Sequence, residues 1–415
     1  MDADRPAIGS IGEKAARRGL AVVFTIMLLD IMGLAIIMPV LPTFLQELTG
    51  DPPARAAVDG GWLLFVYASM QFLFAPTVGN LSDRFGRRPV LLVSVLTFAL
   101  DNLICALADS YWILFIGRIL AGVSGASFST ASAFIADVSD ERSRARNFGL
   151  IGIAFGVGFT LGPVVGGLLG SFGPRVPFFG AAALSFLNFC AACWLLPETL
   201  PKPLRRAFDW RRANPMGALK QMRGRPGLMP VLAVFFLIYQ AHVVYPAIWP
   251  FAGAYRYGWS EGQIGLSLGV YGIVTALVMA LVLPRVVATF GERRTAILGL
   301  ATGVIALMGY ALAWQGWMVY LVILATPLEA VADPPLRSLA AARVPPSEQG
   351  ELQGALSSLS SLTSIVGPLM FASVFEAFTR DGAAIELPGA PFALAALLVA
   401  TGLIIFLRRV HPMRG

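Results

Sequence analysis

Charge is what this sequence has least of. Asp, Glu, Lys and Arg make up 13% of its 415 residues, about half of the roughly 25% found in a soluble domain, so most of its surface is not meant for water. Histidine occurs twice and cysteine three times. Cys105, Cys190 and Cys193 all fall in apolar stretches, and the C-x-x-C spacing at 190 to 193 has no second ligand pair, so packing residues are expected there and no metal site. The sequence also lacks a Gly-Lys phosphate loop, which leaves an enzyme the least supported class and implies no cofactor. The first apolar segment carries Asp30 and ends in PVLPTFLQEL without a small-residue cleavage site. A removable signal peptide is therefore not expected.

Apolar residues are abundant instead, at 57% with a mean hydropathy of +0.73. A hydrocarbon core about 30 Å thick takes roughly 20 apolar residues per helix. On that measure the chain reads as an all-α membrane protein with twelve transmembrane helices, at about 19–47, 61–80, 89–108, 111–136, 146–171, 175–196, 228–252, 261–288, 293–314, 317–342, 348–379 and 389–409. With both termini cytoplasmic, the 31 Lys and Arg residues all lie in cytoplasmic segments except Arg55, Arg175, Arg256 and Arg380 in external loops and Arg118 within a span. That asymmetry is what membrane insertion selects, so the net charge of +7 is a topology signal and no nucleic-acid partner is implied.

Sliding the chain by 205 residues aligns Phe85-Gly86 with Phe290-Gly291, Gly149 with Gly354, and Gly162-Pro163 with Gly367-Pro368. Three anchors at one offset imply duplication. The expected division is a six-helix half over 1–196, a cytoplasmic linker over 197–227 with an amphipathic piece near 214–223, and a second half over 228–415. Two such halves with a site between them at mid-depth describe one transporter architecture.

Three segments stand out. In GNLSDRFGRRPVLL (Gly79 to Leu92), Gly79 permits close helix approach, Gly86 supplies a turn, and Arg87 and Arg88 hold the loop on the cytoplasmic side. Asp83 can sit against the N-terminus of a neighbouring helix, whose unpaired N–H groups favour an anion. A latch is expected in which Asp83 meets the eleventh span near Glu348 to Gly354 and Arg84 or Arg88 reaches Asp137; a plain solvated turn is the alternative. In GFTLGPVVGG, Gly158, Gly162 and Gly166 recur every four residues beside Pro163 and Gly167, forming a smooth face suited to close packing and a bend. The matching eleventh span has Leu369 and Phe371 near Gly367, so the close-contact face is expected in one half only.

These segments resemble the major facilitator superfamily: the charged loop is similar to its signature between the second and third helices, and FIGRILAGVSGAS (Phe115 to Ser127) to its Arg-containing fourth-helix motif. GFTLGPVVGG looks like the fifth-helix motif of the antiporter branch. LLDIMGLAIIMPVLP (Leu28 to Pro42), FIADVSDERSRARNFG (Phe134 to Gly149) and GELQGALSSLSSLTSIVGPL (Gly350 to Leu369) are similar to bacterial tetracycline-type drug/proton antiporters. The resemblance implies export of an organic compound in exchange for entering protons.

Buried charge carries the candidate mechanism, because an ionisable side chain at mid-membrane costs at least about 2.5–3.5 kcal/mol and faces a cavity or a partner. Asp30 and Asp101 lie midway along the first and third spans. A carboxyl in such surroundings takes up and releases a proton readily, and both match acidic positions of the tetracycline-type exporters. Arg118, in the fourth span, keeps its charge and needs an acid to pair with; Asp30 and Asp101 both qualify. In the second half, Glu329, Asp333 and Arg337 are spaced by four and so share one helix face, as an internal charge ladder or as a salt bridge at the cytoplasmic end. His242 sits in IYQAHVVYPAIW as a cavity lining or a packing residue, and Gln71 and Asn188 either hydrogen-bond a substrate or stitch helices. One departure matters. The tetracycline exporters carry an acid in the ninth helix and a histidine in the eighth, where this chain has Gly303 and Thr275, so either a cation-chelated tetracycline is not the substrate or the second-half acids Glu329 and Asp333 replace them.

The expectation is a monomeric, multi-pass transporter of the bacterial inner membrane that exchanges protons for a small drug-like organic substrate across the lipid bilayer. A transporter of an endogenous metabolite is the runner-up, and a non-transporting receptor the second class.

Overall fold

The computed structural model describes residues 13–125, 127–140, 143–208, 225, 227–345 and 348–410. The amphipathic piece expected near 214–223 lies outside them. Among the described residues every regular element is helical, and eleven helical runs are long and apolar enough to cross a membrane. One of them, Glu261–Leu312, has 52 residues, enough for two crossings at roughly 20 each. It breaks at Gly291, where φ is 71° and ψ 168°, so twelve crossings remain, with the eighth and ninth joined across that break.

Gly86 has the same backbone, with φ 106° and ψ 161°. Glycine takes positive φ at little steric cost, and no other residue type does so among the described residues. The Phe-Gly repeat of the sequence is therefore a repeat of conformation.

Helix breaks follow proline, which removes a backbone donor and collides with the preceding turn. The first span runs as Glu13–Ala35, a 3₁₀ turn at Met38–Val40 and a helix at Leu41–Thr49, with Pro39 and Pro42 at the break. The tenth runs as Gly316–Ala325, a 3₁₀ stretch at Thr326–Ala332 and Asp333–Ala341, broken by Pro327, Pro334 and Pro335. The second span is longer than its hydropathy suggests, Pro53–Phe85. Pro53 suits a first helical turn, and Arg55 pairs with Asp59 one turn later at 3.9 Å, so charged residues read as loop are helix.

The described residues form two compact units. The first holds those up to 37 and 69–208. Within it the fifth span, Arg144–Gly170, packs along the first. A Cβ on Gly158 would lie 2.8 Å from Ile31 Cγ2, one on Gly162 2.9 Å from the Met32 carbonyl oxygen, and one on Gly166 would overlap the Ile36 carbonyl oxygen. Pro163 and Gly167 are buried beside them.

The second unit holds 38–68 and the described residues from 225 onward. Here a Cβ on Gly367 would lie 2.7 Å from Val243 Cγ1 and 3.1 Å from Gln240 Nε2. Shifted by 205 residues, Gly162 becomes Gly367 and its neighbour Ala35 becomes Gln240. The expectation that close contact belongs to one half is corrected accordingly: Leu369 and Phe371 do not stop Gly367 from reaching the seventh span. The same unit takes in part of the second span, where a Cβ on Gly61 would lie 3.2 Å from the Pro368 carbonyl oxygen and one on Gly60 2.7 Å from the Phe251 ring. Thr43 Oγ1 donates to Glu261 Oε1 at 2.7 Å.

Candidate functional site

The third span, Arg87–Ala106, and the fourth, whose first helix is Tyr111–Gly125, bring an acid and a base together. Asp101 is wholly buried and Arg118 is 7% exposed. Arg118 Nη2 donates to Asp101 Oδ2 at 2.9 Å and Oδ1 at 3.1 Å. Cys105 Sγ lies 3.3 Å from the same nitrogen and donates to Asp101 Oδ1 at 3.4 Å. Gly117 makes this approach possible, since a Cβ there would stand 2.9 Å from Asp101 Oδ1. Of the two acids the sequence offered, Asp101 is the one whose carboxylate Arg118 reaches. Asp30 is half-buried, and its Oδ1 is buried with no hydrogen-bond partner. Breaking a buried ion pair by removing one member costs about 3–5 kcal/mol, so protonating Asp101 is a large perturbation: it releases Arg118 from its counter-charge.

Gln71 Nε2 donates to the Gly125 carbonyl oxygen at 3.2 Å, a helix-to-helix stitch. Asn188 is 5% exposed with Nδ2 unpartnered.

The charged loop is organised around Arg87, which is buried. Its Nη1 donates to Asp83 Oδ1 and to Ser82 Oγ, both at 2.6 Å, and its Nε to Asp137 Oδ2 at 3.2 Å. The expectation that Arg84 or Arg88 reaches Asp137 is corrected: Arg87 does. After the Gly86 turn, Arg87 opens the third span pointing back at Asp83, four residues before it. Arg84 is exposed over the Phe85 ring at 5.1 Å, and Arg88 Nη2 donates to the Cys193 carbonyl oxygen at 2.6 Å. Gly79 stands near Ser129, its Cβ position 3.6 Å from Oγ.

Two members of this cluster were missed in the sequence, Glu198 and Thr199. Glu198 Oε1 accepts from the Arg87 backbone N–H at 2.9 Å, and Thr199 Oγ1 donates to Asp137 Oδ2 at 3.0 Å. Their signal was the P-E-T directly after the sixth span, read there as the start of a linker. Replacing Arg87 by lysine is expected to keep the charge and lose the fork that holds Asp83, Ser82 and Asp137 at once. Transport by that variant should fall several-fold at near-normal membrane yield, while Arg84→Lys transports as the parent does; initial export rates at matched expression check this.

In the second half Glu329 lies in the 3₁₀ stretch Thr326–Ala332, and Asp333 and Arg337 lie in the α-helix that follows it. Asp333 Oδ2 pairs with Arg337 Nε at 2.6 Å, and Arg337 Nη2 donates to the Tyr239 hydroxyl at 2.8 Å. Glu329 also meets the seventh span, accepting from the Tyr245 hydroxyl at 3.0 Å and lying 3.5 Å from His242 Nε2. It also faces Gly303, where a Cβ would stand 3.2 Å from its Oε2. Tyr245 belongs to the segment around His242 that the sequence offered as a cavity lining, whereas Tyr271 and Tyr310 passed there as ordinary membrane aromatics.

Residues 23–368 and 241–415 match the family model described as Major Facilitator Superfamily. The tetracycline resistance protein, class C, of Escherichia coli is 40% identical over 362 residues, covering 87% of this chain and 91% of that protein. The class G protein of Vibrio anguillarum is 41% identical over 355 residues, 84% of this chain and 88% of its own. The crystal structure of the human organic anion transporter MFSD10 is similar at a TM-score of 0.69 and 25% identity, over 94% of this chain and 99% of that one.

Proposed function

The chain belongs to the major facilitator superfamily and is a multi-pass membrane transporter, and from that premise we propose that it exports a drug-like organic compound, a tetracycline-type antibiotic among the candidates, in exchange for protons. The observation that carries the proposal is the buried Asp101–Arg118 pair with unpartnered Asp30 Oδ1 on the first span. A charge pair in apolar surroundings is costly to keep, and its use is that one proton switches it. Asp30 and Asp101 alternate between protonated and charged forms, and Arg118 biases them. Protonation and substrate then favour different orientations of the transporter, which supplies the differential binding that a population shift requires.

In this reading Asn188 and Gln71 contact the substrate or brace the helices that do. The Asp83–Arg87–Asp137 cluster holds the cytoplasmic end of the second and third spans, and the Gly158–Gly162–Gly166 face is the surface on which the fifth span bends. The chain acts as a monomer in a bacterial inner membrane with both termini in the cytoplasm. A second reading, transport of an endogenous metabolite, draws on Gly303 and Thr275, which replace the acid and the histidine of the tetracycline-type pattern.

A growth-inhibition panel with and without expression separates the two. Export of drugs is expected to raise the tolerated concentration of at least one amphipathic antibiotic several-fold, and tolerance to every compound, tetracyclines included, equal to that of the empty host contradicts it.

A further inference from the structure

Glu329 is 6% exposed, yet half of its carboxylate has nothing to bind. Oε1 takes the Tyr245 hydroxyl and lies near His242, while Oε2 is buried without a hydrogen-bond partner. Leaving a buried acceptor unsatisfied is expensive, and a carboxylate oxygen more so. The surroundings are aromatic. Tyr245 stacks on Tyr271 with centroids 5.9 Å apart and meets Tyr310 edge-on at 6.1 Å. Gly303 keeps bulk away from Oε2, since a Cβ there would stand 3.2 Å from it.

A buried carboxyl oxygen without a hydrogen-bond partner, set among π faces, matches one ligand chemistry. A positive nitrogen or phosphorus centre is attracted by the ring quadrupoles and by the carboxylate together, and it needs no hydrogen-bond acceptor in return. A chelated divalent metal fits less well: it takes several oxygen ligands, and among the described residues no group of three or more His, Cys, Asp or Glu side chains is placed to hold a metal ion. Asp333 contributes little net charge, being paired with Arg337.

We propose that the Glu329 carboxylate and the rings of Tyr245, Tyr271 and Tyr310 bind the charged centre of an amphipathic organic cation, such as a quaternary ammonium. The ligand takes over Oε2, while Oε1 keeps the Tyr245 hydroxyl and stays near His242. Calling this ligand a substrate rests on the export reading above; the binding site does not.

The test is titration of the purified full-length protein in detergent with tetraphenylphosphonium, a permanent cation with no proton to exchange. The parent is expected to bind saturably, Glu329→Gln roughly tenfold more weakly or worse, and Glu329→Asp in between, a tenfold step being the size of one good charge contact. Binding by Glu329→Gln as tight as by the parent, or no saturable binding by the parent, overturns the proposal. If Glu329→Gln does not purify as a single species, Tyr271→Leu decides, since it keeps the carboxylate: several-fold weaker binding supports the cage and unchanged binding overturns it. Vesicle export separates this from the broader reading. Binding through Glu329 with no compound exported sinks the export reading and leaves the cage. Export in which Glu329→Gln treats cations and uncharged compounds as the parent does sinks the cage alone.

Discussion

Arg118→Leu is expected to abolish transport and to weaken the fold as well. Asp101 is wholly buried and takes two hydrogen bonds from one guanidinium nitrogen, so deleting the arginine strands a carboxylate in the apolar interior. Stranding one member of a buried ion pair costs about 3–5 kcal/mol, unless the acid neutralises itself by taking a proton. Pairing Arg118→Leu with Asp101→Asn removes the stranded charge and should recover most of the lost thermal stability. It should not recover transport, because neither a switchable acid nor its counter-charge remains. Melting temperature in detergent and uptake into vesicles separate the two effects. A double variant that regains both shows the pair to be a structural strut.

Gly166→Ala is the second large effect, and it acts through sterics alone. The added methyl would overlap the carbonyl oxygen of Ile36, which is backbone and has no rotamer to escape into. The first span is already broken just beyond this residue by Pro39, and Ile36 N is held to the Met32 carbonyl oxygen at 2.8 Å. Overpacking of this kind costs about 1–3 kcal/mol or more, and here it also wedges apart the two spans at the face where the fifth is proposed to bend. Gly152 and Gly156, on the same helix, are open: a Cβ at either would have nothing within 4 Å. Alanine at either is expected to be neutral or to stabilise by roughly 0.5–1 kcal/mol through helix propensity. Equal yield and transport from all three variants removes the close-packing role assigned to the glycine face.

What the sequence made legible follows from locality. Span number comes from hydropathy over windows of about 20 residues, and the one fused run, Glu261–Leu312, still shows its break as Gly291 within the Phe-Gly repeat. The acid–base pair was legible in kind, since an arginine within a span needs an acid, though not in choice, since helix rotation decides whether Asp30 or Asp101 is reached. Contacts across long sequence separations were not legible. Arg87 meets Glu198 across 111 residues, and no local pattern announces it. The tenth span was harder to read for another reason: a spacing of four implies a shared face only on an α-helix, and Glu329 lies in a proline-bounded 3₁₀ stretch, next to Tyr245 and Gly303, while Asp333 pairs with Arg337 in the α-helix that follows.

Whether protons move against substrate through Asp30 and Asp101 is decided by one experiment. Vesicles containing the purified protein hold a pH gradient and an entrapped pH-sensitive dye, and a compound from the growth panel is added outside. The compound is expected to speed collapse of the gradient with the parent protein and to leave it unchanged with the Asp30→Asn, Asp101→Asn double variant, compared at matched amounts of folded protein because Asp101→Asn leaves Arg118 without its counter-charge. Substrate crossing without any proton movement, or a double variant that collapses the gradient as fast as the parent, rules out exchange through these two acids.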